Sequence, residues 1–390
     1  MSAAGIFLGT ERLLEEQFPL IAGRRLGLIT NHSGTDGRLR ATADRLHQAA
    51  GMQAVALYGP EHGIRGDAAD GEQVGGGRDP RTGVPVHSLY GQTRQPTTEM
   101  LEGVEVMLFD IQDVGVRFYT YLYTMSLAME ACAARGIPFV VLDRPNPLGG
   151  AVLEGNILDP AFASFVGKYP LPVRYGMSVG ELARFFNGEF GIGVELQVVG
   201  LRGWQVSGGW PETGLPWVPP SPNMPAVATA EVYPGMCFFE GTNVSEGRGT
   251  PKPFEQVGAP YIEGHRLADQ LNARELPGAL FRPVYFQPSA SKYAGQVCQG
   301  VQVHVLDRKV FRPVRVGLEA VAMVRRLWPD QFAWRVPQGG IHNFDLLAGT
   351  DQLRLALDRG ESAAELEAAW EPGLRAFDHQ RQPYLLYARD

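Results

Sequence analysis

The segment YGPEHGIRG (58–66) combines residue types that suit acid–base chemistry. Glu61, His62 and Arg65 lie within five positions of one another, and glycines interrupt the segment on both sides. Glycine lets the backbone approach a ligand closely, and a carboxyl group partly shielded from water keeps its proton more readily. Glu61 is therefore a candidate general acid. The alternative interpretation is an ion pair between Glu61 and Arg65 that only closes the loop.

The segment DIQDVGVRFYTYLYT (110–124) follows an apolar run and offers a second acid together with aromatic rings. Asp110 stands directly after the apolar run and is therefore a stronger catalytic candidate than Asp113. The rings of Tyr119 and Tyr121 suit sugars, which are apolar on one face and hydroxylated at the rim. Tyr119 is a candidate for catalysis and Tyr121 for binding, although Tyr121 could instead pack in the core.

Two further segments carry charged and amide side chains between prolines and glycines: DRPNPLGG (143–150) and FEGTNVSEGRGT (239–250). Prolines reduce the entropy of a loop and so preorganise the side chains that it carries. Arg144 could hold a carboxylate through its planar guanidinium group, or could satisfy loop carbonyls. Glu246 is a further catalytic candidate. The candidates for substrate binding, most of them on these segments and on turns at 31–34 and 221–225, are Asn31, His62, Arg65, Tyr121, Arg144, Asn146, Asn223, Glu240, Asn243 and Arg248.

The main alternative to acid–base chemistry by side chains is a bound metal or cofactor, and the sequence patterns do not favour it. His62, His87, Asp110 and Asp113 could ligate a metal, but they show no HxH or HExxH spacing. The three cysteines are far apart and show no CxxC spacing, which indicates neither a disulfide framework nor a structural zinc site. A GxGxxG dinucleotide motif after the first strand is also missing. We therefore expect no bound metal and no cofactor.

The composition limits the kinds of partner. With a formal net charge of −7, the chain of 390 residues shows no basic character that would favour nucleic acid or an anionic membrane. No stretch approaches the roughly 18 apolar residues of a membrane span, and the first residues lack the pattern of a secretory signal. The sequence as it stands predicts a cytoplasmic protein, while an exported protein without its signal would look the same.

The elements that position these residues alternate between apolar strands and helices. We predict strands over 25–30, 52–58, 104–111 and 138–142, and helices over 37–50 and 121–135. Such alternation predicts an α/β fold with a parallel, Rossmann-like sheet. The candidate residues 31, 61–62, 110–113 and 143–146 all lie at or just beyond the carboxyl ends of predicted strands. Because ligands bind beyond the carboxyl ends of parallel strands, these positions predict a site.

The pattern changes after a Trp-, Pro- and Gly-rich connector over 204–225, which we expect to be irregular. Beyond it, a strand is expected over 301–305 and helices over 314–327 and 363–369. The sequence therefore predicts two domains: a Rossmann-like catalytic domain over 1–225, and a smaller α+β domain over 226–390 that closes the substrate cleft.

The motifs GPEHGIRG, DIQDVGVRFYTYLYT, DRPNPLGG, SPNMP and EGTNVSEGRGT stand in an order that resembles the exo-β-N-acetylmuramidase family. The resemblance extends over about residues 5 to 390. It implies a Rossmann-like domain, a smaller C-terminal domain and a site in the cleft between them. It further implies release of N-acetylmuramic acid from the non-reducing ends of peptidoglycan glycans. The glutamate of the family's Glu-His-Gly motif, Glu61 here, is the implied catalytic acid.

The resulting hypothesis is that Glu61 protonates the glycosidic oxygen while Asp110, Glu246 or Tyr119 works at the anomeric carbon or orients the substrate. The acetamido group of the substrate could also assist. Arg144 or Arg248 would hold the lactyl carboxylate of muramic acid. Two other classes of function stay open: a metal-dependent hydrolase of an amide or phosphate ester, and a non-catalytic protein that binds muropeptides or sugars.

Overall fold

A parallel sheet organises the first half of the chain. The computed structural model describes residues 5–16, 21–49, 51–66, 77–336 and 340–389. Within these residues the strands of the sheet are β1 (Arg25–Thr30), β2 (Gln53–Gly59), β3 (Gly77–Arg78), β4 (Pro85–Ser88), β5 (Val106–Asp110), β6 (Phe139–Leu142) and β7 (Leu196–Val199). Their spatial order is β3-β4-β2-β1-β5-β6-β7, and every pairing except β3–β4 is parallel. Without the short edge strand β3, this is the strand order of the Rossmann fold, whose order reverses between β1 and β5.

Helices cover both faces of this sheet. The helices of the first half are α1 (Gly9–Glu16), α2 (Thr42–Gln48), α3 (Tyr121–Ala133), α4 (Val179–Glu189) and the single turn α5 (Trp210–Thr213). The central strand β5 is buried along its whole length. Met107 and Phe109 point into one apolar core, and Val106 and Leu108 into another on the opposite face. This alternation, with apolar residues on both faces, is what a sheet covered by helices on both sides requires.

The second half of the chain forms a three-stranded antiparallel sheet, β8 (Gln256–Ala259), β10 (Cys298–Val305) and β9 (Ala279–Phe286) in that order, with helices around it. The helices are α6 (Val227–Met236), α7 (Gly264–Asn272), α8 (Pro313–Leu327), α9 (Asn343–Ala348), α10 (Gln352–Arg359) and α11 (Ala363–Arg381). Short 3₁₀ turns lie at 160–162, 237–241 and 382–384. The predicted α/β fold with a parallel sheet and a smaller second part is confirmed.

One predicted helix begins later than expected. The helix predicted over 37–50 starts at Thr42, because residues 35–41 form a turn that Asp36 holds by accepting the Arg38 and Arg40 N–H groups, each at 2.9 Å. Leu39 adopts a positive φ of 61° within that turn, which no helix accommodates. Ala50, at the predicted end, lies outside the described residues. None of the helices within the described ranges has the length and apolar character that crossing a membrane requires.

Helices α6 and α8 touch through glycines. A side chain at Gly235 would place its Cβ 1.8 Å from the Pro313 carbonyl oxygen, and a Cβ at Gly317 would come within 2.2 Å of the Gly235 carbonyl oxygen. Only glycine permits this approach. The contact fixes α6 against the start of α8, which matters because α6 contributes side chains to two different cavities.

The buried carboxyl group of Glu154 should make the free energy of unfolding depend on pH. Burial raises the pKa of this carboxyl group to about 7, against an ordinary value of 4.5. The folded state therefore binds the Glu154 proton more tightly than the unfolded state does. The protonated carboxyl group thus adds to the free energy of unfolding below about pH 4.5, and this addition is lost as the pH rises to about 7. Replacement by glutamine removes this loss. We expect Glu154→Gln to gain up to roughly 3 kcal/mol of unfolding free energy, relative to the wild type, between pH 4.5 and pH 8.

Denaturant unfolding at a series of pH values measures this difference. The control is Glu102→Gln, since Glu102 is exposed and its replacement should leave the profile unchanged. A constant offset between Glu154→Gln and wild type at every pH would contradict the prediction.

Candidate active site

A cleft of about 700 Å³ lies between the two halves of the chain, beyond the carboxyl ends of β2 and β5. Both halves contribute to its walls. The residues that line it include Glu61, His62, Phe118, Tyr119, Tyr121, Ser221, Asn223, Tyr233, Glu240, Arg248, Phe254 and Ser291. Of the sequence-predicted site residues, the cleft thus brings together Glu61, His62, Tyr119, Tyr121, Asn223, Glu240 and Arg248.

The loop after β2 carries Glu61 and His62 into the cleft in a constrained conformation. His62 has a positive backbone φ of 75°, which residues other than glycine rarely adopt, and Gly63 follows with a φ of 72°. Phe254 and Ser291, also in the lining of the cleft, have positive φ values of 61° and 66°. Strained backbone persists only where surrounding contacts impose it, and it gathers at functional sites.

Arg65 does not reach the cleft. Its Nε and Nη2 donate to the two carboxylate oxygens of Asp79, both at 2.8 Å, and Nη2 also lies 2.8 Å from Asp44. These aspartates, rather than Glu61, are therefore the ion-pair partners that close the loop. Arg65 supports the loop that presents Glu61.

Tyrosines form one wall. The ring of Tyr119 meets those of Tyr121 and Tyr233 edge-on, with centroids 5.0 and 6.1 Å apart. The hydroxyl group of Tyr119 donates to Ser221 Oγ at 3.0 Å. Burial above all, with the negative charges of Asp113 and Glu61 adding to it, raises the pKa of Tyr119 well above its ordinary value. Tyr119 therefore keeps its proton and acts as a hydrogen-bond donor.

The loop at 219–224 lies beside these tyrosines and is hydrogen-bonded to the Rossmann-like half. Asn31 Nδ2 and the Tyr121 hydroxyl both donate to the Pro220 carbonyl, at 3.0 and 2.9 Å. His32 Nε2 lies 2.6 Å from the Pro219 carbonyl oxygen. Asn31 thus lies outside the lining of the cleft and positions a loop that supplies Ser221 and Asn223 to it.

The second half supplies a chain of alternating charges. Arg248 Nη2 donates to Glu240 at 2.7 Å, and its Nε lies 3.4 Å from Glu246. The Lys292 ammonium group lies 2.9 Å from the other oxygen of Glu246 and also donates to the Phe239 and Val244 carbonyls. Burial lowers the pKa of Lys292, while Glu246 opposes that shift. These contacts fix the guanidinium group of Arg248 at the wall of the cleft.

A side cavity of about 300 Å³ continues from the cleft past this charge chain. Glu240, Arg248 and Ser291 line both spaces, whereas Glu246 and Arg335 line only the side cavity. The catalytic candidate Glu246 therefore faces the side cavity rather than the central cleft.

Asp110 and Arg144 lie elsewhere, paired with each other. Arg144 Nε and Nη2 donate to the two Asp110 oxygens at 2.5 and 3.0 Å, and Nη2 also donates to the Thr35 carbonyl at 2.8 Å. Asp110 accepts a further hydrogen bond from Thr42 Oγ1 at 2.5 Å. Both residues are buried and neither lines the cleft. The pair joins the ends of β5 and β6 to the segment between β1 and α2.

The side chains of Asn146 and Asn243 also donate hydrogen bonds to backbone carbonyl groups. Asn146 Nδ2 donates to the Met177 carbonyl at 2.9 Å. Asn243 donates to the Gln331 carbonyl at 2.7 Å and accepts from the Tyr261 hydroxyl at 3.0 Å. Neither residue lines the cleft.

The proposed metal ligands are dispersed. Asp113 accepts from the Tyr175 hydroxyl and from the Gly115 N–H, and His87 packs on the ring of Tyr58. Among the described residues, no group of three or more His, Cys, Asp and Glu is placed to hold a metal ion. Cys132, Cys237 and Cys298 are buried free thiols.

Several residues that shape the site could not be predicted from sequence patterns. Tyr233, Phe254 and Ser291 line the cleft, and Lys292 forms an ion pair with Glu246. These four residues lie 12 to 71 positions after Ser221 in the sequence, although Ser221 lines the same cleft. Tyr233 lies within an apolar helix that reads as core. The glycines beside charged residues in segment 239–250 indicated a functional loop, and that segment does supply Glu240 and Arg248 to the cleft.

The fold and the cleft together define a class. This is a Rossmann-like α/β protein whose strand-end loop presents a carboxyl group to a tyrosine-walled cleft, which a smaller α+β part completes. Aromatic faces beside hydrogen-bonding groups and carboxyl groups are the features that bind and process sugars.

Comparisons with known proteins identify the family. The domain family described as exo-β-N-acetylmuramidase NamZ, N-terminal, matches residues 26–228, and its C-terminal counterpart matches residues 231–387. The peptidoglycan β-N-acetylmuramidase NamZ of Bacillus subtilis (strain 168) is 47% identical over 379 residues, which are 97% of this chain and 91% of that protein. The chain belongs to the exo-β-N-acetylmuramidase NamZ family, as its motifs predicted.

Solved structures agree with the fold. A DUF1343 family protein from Bacteroides fragilis superposes with a TM-score of 0.91 at 38% identity, over 99% of this chain and 100% of that one. A second DUF1343 family protein from the same organism gives 0.77 at 30% identity, over 99% of each chain.

Proposed function

We propose that this protein is a glycosidase that releases N-acetylmuramic acid from the non-reducing end of peptidoglycan-derived glycans. The observation that carries the proposal is the match to the B. subtilis enzyme along nearly the whole chain. The cleft supports it, because Glu61, the acid of the shared motif, lines a space walled by tyrosines. The proposal includes two domains, over 1–225 and 226–390, and the start of helix α6 at Val227 supports a boundary there.

Glu61 donates its proton to the glycosidic oxygen as the bond to the anomeric carbon breaks, and a water molecule supplies the hydroxyl group that the anomeric carbon gains and the proton that restores Glu61. Its loop follows β2, and Arg65 fixes that loop through Asp79 and Asp44. The rings of Tyr119 and Tyr121 offer an apolar face to a sugar. Because its phenol stays protonated, Tyr119 contributes a hydrogen-bond donor at Ser221 rather than a nucleophilic oxygen.

Asp110 takes no part in this mechanism, because Arg144 and Thr42 engage its carboxylate outside the cleft. Glu240, which lines the cleft, and Glu246, at the side cavity, remain as protein carboxylates at the substrate. Arg248 holds both of them, so the charge that it presents is partly balanced.

A matched pair of glycans tests the function. One carries N-acetylmuramic acid at its non-reducing end, and the other is the same glycan capped there by N-acetylglucosamine. We expect the protein to release the terminal sugar from the first glycan only, as chromatography of the products would show. Cleavage of internal bonds in the capped glycan, or no product from either glycan, would contradict the proposal.

Arg248 is proposed to bind the lactyl carboxylate, which distinguishes muramic acid from glucosamine. Of the two candidate arginines, Arg248 lines the cleft, whereas Arg144 forms a buried ion pair with Asp110. We expect Arg248→Gln to lower kcat/KM on an aryl β-N-acetylmuramide by about ten- to a hundredfold, the value of a charge-assisted hydrogen bond. The residual rate on the matching aryl β-N-acetylglucosaminide should change far less. An equal loss on both substrates would remove Arg248 from this role.

A further inference from the structure

The loop between β9 and β10 carries a largely buried lysine, Lys292, to the charged wall of the cleft. The residues on either side of it both have positive φ values, 66° and 57°, which surrounding contacts must impose. The backbone N–H and the Oγ of Ser289 both donate to the Gly249 carbonyl, at 2.8 and 2.9 Å. The constrained loop is thus fastened to the segment 239–250, which supplies Arg248 to the cleft.

Two backbone carbonyls and one carboxylate hold Lys292. Its ammonium group donates to the Phe239 and Val244 carbonyls at 2.8 and 2.9 Å, and lies 2.9 Å from Glu246. The side chains of Lys292 and Glu246 are only 13% and 3% exposed. Lys292 is not among the described residues that line the cleft or the side cavity. It therefore acts on a bound sugar through Glu246 and the charges beyond it.

The charges beyond Lys292 alternate in sign. Glu246 lies 3.4 Å from Arg248, which donates in turn to Glu240 at 2.7 Å. Without the lysine, the guanidinium group would stand between two carboxylates, and this cluster would carry a net negative charge. Lys292 lies at the other oxygen of Glu246, so that two cations balance two anions. Arg335 also approaches the cluster, but it is exposed and water screens its charge.

We propose that Lys292 is a positioning residue that determines specificity: by neutralising Glu246, it leaves the charge of Arg248 available to the lactyl carboxylate. This inference rests on the proposed function, in which Arg248 binds that carboxylate. A cluster with excess negative charge would repel the carboxylate, because like charges are unfavourable where water screens them little. Lys292 thereby favours muramic acid over sugars that lack the acidic group, without touching the substrate.

Calorimetric titration of the whole protein with N-acetylmuramic acid and with its lactyl carboxamide measures this effect. The two ligands have the same shape, and only the acid carries the charge. We expect Lys292→Met to weaken the binding of the acid by about tenfold or more, while the binding of the carboxamide changes far less. The matched control is Lys309→Met, which removes an exposed lysine of the same half and should leave both affinities unchanged.

A second replacement separates charge balance from a role in holding the loop. In the double variant Lys292→Met with Glu246→Gln, Arg248 again faces only one carboxylate, so most of the lost affinity for the acid should return. Hydrogen bonds lost from the Phe239 and Val244 carbonyls would not be repaired by this change. Binding, unlike turnover, does not depend on whether Glu246 takes part in catalysis.

The single variant Glu246→Gln keeps Lys292 in place and tests the charge balance even if Lys292→Met does not fold. It leaves the cluster with one excess positive charge. We therefore expect it to bind the acid at least as tightly as the wild type does.

Three results would overturn the inference: an equal loss of affinity for both ligands in Lys292→Met, no recovery in the double variant, or weaker binding of the acid in Glu246→Gln. A wild type that binds the acid no more tightly than the carboxamide would contradict the role of Arg248 and the inference with it. The proposed function is judged separately by the pair of glycans. A protein that releases the terminal sugar but shows no effect of Lys292→Met refutes the inference alone.

Discussion

Replacing Glu61 by glutamine is expected to slow cleavage of a muramoyl disaccharide by about 10²- to 10⁴-fold, the usual contribution of a general acid. Glutamine keeps the size and a hydrogen-bonding oxygen of the side chain but has no proton to give to the glycosidic oxygen. KM and the affinity for N-acetylmuramic acid should change little, because Arg65, Asp79 and Asp44 hold the loop independently of the carboxyl group. Steady-state kinetics and calorimetry measure the two quantities.

The leaving group provides the control. A 4-nitrophenolate departs with little help from an acid, whereas the hydroxyl group of a sugar needs protonation. We therefore expect Glu61→Gln to lose far less activity on the 4-nitrophenyl muramide than on the disaccharide. If both substrates lost the same factor, Glu61 would act in binding or folding. If neither lost much, the acid would lie elsewhere, and Glu246 would be the next residue to replace.

The strand pattern predicted the edge of the sheet at which the cleft lies because of a general property of parallel sheets. The segments that follow β1, β2 and β5 meet at one edge, so Asn31, Glu61 and Asp110 could be grouped from spacing alone. The alternation of strands and helices indicates a parallel sheet but does not determine its strand order, since doubly wound sheets with the same alternation occur in more than one order. Helix α4 escaped prediction, although Ser178 and Glu181 form the capping box that marks its start.

Spacing could not tell which strand-end residue faces the cleft and which binds a neighbour. Asp110 and Glu61 both follow apolar strands, yet Asp110 meets Arg144 and Thr42 while Glu61 lines the cleft. The difference depends on the Arg144 and Thr42 side chains, which lie 34 and 68 positions from Asp110, and the local pattern carries no information about them. The same reason hid Lys292, which reaches Glu246 across 46 positions.

Replacing Arg144 by methionine should separate a structural arginine from a substrate-binding one. The guanidinium group and the Asp110 carboxylate are almost fully buried, with side chains 4% and 1% exposed. Removing one partner leaves the other as an uncompensated buried charge, which typically costs about 3–5 kcal/mol of unfolding free energy. We expect that loss in denaturant unfolding, while the folded fraction keeps its preference for muramoyl over glucosaminyl substrates.

Two variants sharpen this measurement. Arg25→Met removes an exposed arginine whose ion pair with Glu105 spans 3.6 Å, and such surface pairs contribute about 0–1 kcal/mol. The double variant Asp110→Leu with Arg144→Met removes both charges and should recover part of the lost stability, because no unpaired charge remains buried. Unchanged stability in Arg144→Met, combined with a specific loss of muramoyl activity, would instead assign Arg144 to the substrate and require the Asp110 pair to open during catalysis.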